Sequence, residues 1–259
     1  MNDEISNRFL HCAPIRIDAI NFAMEYDNPA ERLLTLIRTC KEYPIEQSCL
    51  NTWHKVLKTE NNLPLLMSRL GKVMELPQIT VQALQDNFPG RTPTWRHWST
   101  QINNAFMQQN FQSQWNSFIG HIDEHSVNYL QMSSDLLQSK STTTLLENSE
   151  LDAIRKQLLD IYEQTLVAEI DTEVKAYLLR YFRKLISCIE EYTLIGALPI
   201  LEAIESMCGH TLVDKKYKSF LTDEELGRKI LDCISSMGNL ITVAVGIPQL
   251  AHGILQLAA

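Results

Sequence analysis

The chain has 259 residues, 45% of them hydrophobic and 21% charged, with nine glycines and nine prolines. That composition belongs to a folded globular protein and excludes wholesale disorder. The formal net charge is −8, and cutting the chain at Lys140 leaves both halves acidic, which argues against broad duplex binding, since that needs a surplus of Lys and Arg.

The six cysteines (Cys12, Cys40, Cys49, Cys188, Cys208, Cys233) form no C-x-x-C pair. They read as reduced, mostly buried thiols and not as a zinc knuckle or redox motif. The first residues, MNDEISNRFLHCAPIRID, lack the basic start and apolar run of a secretory signal. A cytosolic location is therefore expected. In NPAERLLTLIRTCKEYP, Asn28 is placed to cap a helix, Pro29 suits its first position and Glu31 its third. Leu33, Leu34, Ile37 and Cys40 make the apolar face, and Pro44 ends it. Shorter amphipathic runs follow around 49–57, 65–74 and 79–84, each punctuated by Pro or Asn. A long pattern then runs from Trp95 through Ile102, Phe106, Phe111, Trp115 and Phe118 to Ile122, with helical spacing and no strand alternation.

The Ser- and Thr-rich stretch SSDLLQSKSTTTLLENSE, residues 133–150, interrupts this pattern and reads as a linker. It would separate a helical ligand- or partner-binding domain, 1–132, from a helical connector, 151–220. In the connector, Leu151, Ile154, Leu158 and Ile161 mark one helix. Asp171 caps another, whose apolar face is Val174, Leu178, Phe182, Leu185 and Ile189. A break at 196–199 leads to a short helix, 200–208, ended by Gly209. Thr222-Asp-Glu-Glu225 has the form of a capping box, so a last helix is predicted within 221–259. The fold class is all-α: a multi-helix N-terminal domain plus a C-terminal helical region ending in a hydrophobic helix.

Two local motifs carry chemistry. HIDEH, His121 to His125, matches the H-x-x-E-H pattern in which two histidines one helical turn apart share a zinc ion and the glutamate is general base. No third ligand is marked, so His121 and His125 are weak metal candidates, and two histidines on a solvated face are the simpler reading. In GRTPTWRHWSTQ, Arg91 and Arg96 alternate with Trp95 and Trp98. Guanidinium and indole together suit a nucleotide or a short single-stranded nucleic acid. At helical spacing the same indoles also suit a core. There is no P-loop, dinucleotide fingerprint, nucleophile elbow or cofactor signature, and the chain is not read as an enzyme.

The end of the chain, GNLITVAVGIPQLAHGILQLAA, carries no Lys, Arg, Asp or Glu, and 22 residues of helix span roughly 33 Å, enough to cross a bilayer core. Asn239, Thr242, Gly246, Gln249, Gly253 and Gln256 recur at spacings of three and four and form a neutral seam suited to self-packing in lipid or to lining a pore. The order of parts, a tryptophan-rich helical domain, a helical connector and the stripe GNLITVAVGIPQLAHGILQ, resembles the α-helical membrane effectors of bacterial antiviral defence systems of the Hailong type. The resemblance implies a homo-oligomeric channel or pore, associated with the inner membrane through its C-terminus. It also implies control by the cytosolic domain, through a nucleotide-like ligand or a regulatory protein. The alternative is a soluble helical scaffold or interaction protein whose C-terminal helix lies in its own core or in a subunit interface.

Overall fold

The computed structural model describes residues 19–246, apart from 21, 22, 91, 92 and 142. The described residues form twelve α-helices and no strand, with one isolated antiparallel bridge between Ser48 and Gln114. The all-α class holds.

Helix α1 (Pro29–Lys41) starts as its sequence predicts. Asn28 is extended and its side chain accepts the Glu31 N–H at 3.0 Å, while Pro29 sits where a missing donor costs nothing. Leu33, Leu34, Ile37 and Cys40 are fully buried. Glu31 is buried too, and its Oε1 accepts from Glu25 N and its Oε2 from Ser134 Oγ. Helix α2 (Cys49–Val56) follows, then α3 (Leu63–Asn87), which joins the two runs expected at 65–74 and 79–84. Pro77 lies buried inside α3 and does not end it. A proline there removes one rung, the donor to Val73 C=O, but burying Val73, Leu76 and Leu84 in the first core offsets that loss.

The long pattern between Trp95 and Ile122 divides into α4 (Pro93–Gln108) and the single turn α5 (Asn116–Ile119). The chain between them is held by hydrogen bonds from Asn110 N to Ser117 Oγ and from Trp115 Nε1 to Cys40 O, 3.1 and 2.9 Å. Helix α6 (Glu124–Gln138) takes in Ser133 and Ser134, which composition assigns to the linker. Both are buried with partners. Ser133 Oγ accepts from Trp98 Nε1 and donates to Tyr129 O, so a small polar residue here is a packing element and not a loop signal.

Helix α7 (Asn148–Val167) opens with a capping box between Glu147 and Glu150, and α8 (Thr172–Glu190) with the predicted Asp171 cap. The short α9 (Tyr192–Ile195) leads to α10 (Leu198–His210), α11 (Lys215–Asp223) and α12 (Glu225–Ala244). Gly209 lies within α10. Thr222 caps nothing: it lies in α11 and its hydroxyl donates to Lys218 O. Apolar burial falls into two clusters. One gathers α1 to α6, the other α7, α8 and α10 to α12. Helix α9 joins them by packing on α1, α3 and α8, with Leu194 in the first cluster and Tyr192 in the second.

The C-terminal expectation is overturned. No helix among the described residues is long and apolar enough to cross a membrane. Helix α12 stops at Ala244, carries Glu225, Arg228, Lys229 and Asp232 in its first half, and packs against α7, α10 and α11. Ile230, Cys233, Ile234, Met237 and Ile241 fill the second core, so the apolar face of this helix is covered by protein; Val243 is exposed, and the stretch assigned to lipid beyond 246 lies outside the described residues. The neutral seam does not act as one surface either. Asn239 is exposed, Thr242 is fully buried and donates to Gly238 O at 2.8 Å, and Gly246 has φ +74 in the turn after the helix. Gln249, Gly253 and Gln256 lie outside the described residues. The channel, pore and transmembrane reading, and the membrane association built on it, has no helix to rest on among the described residues.

Candidate functional site

The residues singled out for ligand binding do not converge. Trp95 and Trp98 are buried in the first core, at 2% and 0% exposure, while Arg96 faces outward and Arg91 lies outside the described residues. Both indoles are therefore spent on packing, and no ring of this pair is open to stack a base. The histidines of HIDEH are separated by a helix start. His121 sits in the turn before α6 and His125 in its first turn, so they do not share a helix face. Asp123 between them is the N-cap, accepting from Ser126 N at 2.6 Å and standing 3.1 Å from His97 Nε2. Burial works to raise its pKa, but those hydrogen bonds hold the carboxyl below its ordinary range. Among the described residues no group of three or more His, Cys, Asp or Glu side chains is placed to hold a metal ion.

What the fold does bring together is a charged layer between the two apolar clusters. Glu190 and Glu191, at the end of α8, are 1% and 2% exposed. Two acids in the last turn oppose the helix dipole, and each is matched by cations from elsewhere. Glu190 Oε1 takes Arg155 Nε and Nη2 at 2.9 and 2.8 Å. Burial raises the Glu190 pKa, against the lowering effect of Arg155. Glu191 takes Arg69 Nε at 3.3 Å and also pairs with Lys72. Arg69 is wholly buried, and its Nη1 donates to Leu57 O and Lys58 O at 2.6 and 3.0 Å. It thereby fastens the loop in which Lys58, Glu60 and Asn61 have positive φ.

Beside this layer, Tyr192 OH donates to Asp27 Oδ2 at 3.1 Å and accepts from Leu146 N at 3.0 Å. Burial drives its pKa well above the tyrosine range. The other oxygen of Asp27 pairs with Arg32. A pocket of about 280 Å3 opens here, lined among others by Asp27, Arg32, Lys140, Gly196, Leu198 and Val245. The connecting chain crosses it, tied by Thr143 Oγ1 to Asp27 O and by Thr144 N to Ala244 O. These residues escaped the sequence reading because their partners are far apart in the chain.

A second feature is the outer face of α3. It exposes Leu63, Met67, Met74 and Ile79, each between 41% and 49%, and its charges there are Glu75 and Asp86, both acidic. The cations of this helix, Arg69 and Lys72, both pair with Glu191, Arg69 wholly buried and Lys72 half-buried. Gly71 lies in the middle of the face with nothing within 4 Å of where a Cβ would stand. Compared with known proteins, the chain matches no family model, no curated protein and no solved structure.

Proposed function

We propose that this chain is a helical scaffold protein that self-associates through the outer face of α3, its C-terminal helix serving as part of its own core. The observation that carries the reading is the exposed apolar patch of Leu63, Met67 and Met74 on one side of α3, with no basic residue among them. A surface helix ordinarily shows charge to water. Met side chains suit an adaptable contact because they are unbranched and polarizable.

The partner is a second copy because Met67 and Met74 flank Gly71 almost symmetrically on one side of the helix. In an antiparallel two-fold crossing near that glycine, Met67 meets Met74 of the other copy, which is the self-complementarity an isologous interface needs. The missing Cβ lets the two backbones approach. One helix pair buries less than the roughly 800 Å² per partner of a standard interface, so the dimer is weak and concentration-dependent. Sedimentation velocity over a concentration series tests this. The wild-type chain shifts toward dimer as concentration rises, and the double substitution Met67→Glu, Met74→Glu keeps it monomeric with an unchanged melting curve. A wild-type chain that stays monomeric throughout, or a double variant that associates equally well, refutes the reading.

A further inference from the structure

We propose that the pocket between the two apolar clusters binds a small organic anion, whose carboxylate or phosphate group is held between the Arg32 guanidinium and the start of α10. The site holds unspent donors. Asp27 has used both oxygens, on Arg32 Nη1 and on Tyr192 OH. Arg32 has used one nitrogen. A guanidinium carries five N–H donors in a planar fork, yet Asp27 is the hydrogen-bond partner of Arg32 among the described residues, and its Nε is buried with none. The residue is 9% exposed and lines the pocket. Burial lowers the Arg32 pKa by more than Asp27 raises it, so the site under-compensates its positive charge.

The second source of donors is independent of the first. Helix α10 begins on the pocket wall with no side-chain cap: Ala197 stands at the N-cap position, and Pro199 has no N–H to give. The backbone N–H groups of Ala197 and Leu198 meet no acceptor among the described residues. An uncapped N-terminus of a 13-residue helix favours an anion through both its free amides and its dipole. Gly196 brings the two sources together. Its φ is +75, and a Cβ there would lie 2.6 Å from Arg32 Nη1, so any side chain would push the guanidinium off the chain. Lys140, exposed at the mouth, adds a further positive charge, and Leu137, Ile195 and Val245 offer an apolar wall for a carbon skeleton. The volume of about 280 Å3 equals roughly nine waters at about 30 Å3 each, which fits a short dicarboxylate or a small phosphomonoester.

The test is isothermal titration of the full chain with succinate, glycerol 3-phosphate and inorganic phosphate, with succinamide and glycerol as neutral controls. At least one acid binds saturably and the neutral compounds do not. Whether succinate or the phosphates saturate identifies the group that is read. Leu198→Asp puts a carboxylate at the first position of α10, where it favours the helix but competes for its amides, and weakens binding by roughly tenfold, the effect of a lost charge-assisted hydrogen bond. Lys140→Gln, on the exposed rim, weakens it by a smaller factor with no change in melting temperature. The proposal is overturned if none of the three acids binds at millimolar concentration, if the neutral controls bind as well as the acids, or if both variants bind as the wild type does.

Discussion

All four tryptophans fall in the first apolar cluster, and the second holds none. The first core is fixed by direction. Trp53 meets Trp115 edge-on at 5.0 Å and Phe118 at 4.8 Å, and the indole N–H groups of Trp53, Trp98 and Trp115 each reach one acceptor, on Gln109, Ser133 and Cys40. The second core is fixed by closeness. It is built mostly from Leu, Ile, Met and Cys, with Phe182, Tyr192, Tyr217 and Phe220 as its rings, and lets α12 approach α11 at Gly227, where a Cβ would stand 1.9 Å from Phe220 O. An indole held by an acceptor tolerates neither loss of volume nor loss of partner, whereas a mostly aliphatic core tolerates exchange of side chains but not an added atom where two helices close on each other.

The largest expected effect follows from removing a ring of the first core. Trp53→Ala deletes a fully buried indole and should cost about 3–5 kcal/mol in urea unfolding. A cost under about 1 kcal/mol would mean that the ring network does not specify this core. Gly227→Ala is the matching probe of the second core. Alanine normally gains about 1 kcal/mol over glycine in a helix interior. Here the overlap with Phe220 O should turn that into a net loss of about 1–3 kcal/mol. A stabilised variant would show that α11 and α12 part without penalty. The smallest effect is chemical. The five described cysteines are buried, and burial pushes Cys208 up to about 11 and Cys233 up to about 12, with Cys40, Cys49 and Cys188 also raised. Intact-mass measurement after iodoacetamide treatment at neutral pH should find these five unmodified until denaturant is added. Selective labelling of Cys208 or Cys233 would show that the second core opens before the first.

The cap at Asn28, the cap at Asp171 and the apolar faces of α1 and α8 were legible because the donors and acceptors that decide them lie within four residues. Pro77 and the Ser133–Ser134 pair misled because each reads locally as a break. Their burial depends on other helices: Trp98 supplies a donor to Ser133, and Glu31 an acceptor to Ser134. The charged layer was illegible for the same reason. Arg69 and Glu191 are 122 positions apart, and Asp27 and Tyr192 are 165. The terminal stretch failed differently. Its lack of charge was read correctly, but an uncharged helix face is equally satisfied by lipid or by α7 and α10, and periodicity carries no information about which of them covers it.

The sequence by itself determined that this chain is helical and where most helices begin, because hydrophobic spacing and capping act over a single turn. Tertiary structure alone decided that the C-terminal helix closes a core, that the indoles are packed away, and that Arg32 is left with unspent donors beside an uncapped helix. The physical reason is that burial removes water from a polar group whatever its neighbours in sequence, and the partner that must replace that water is chosen by the fold.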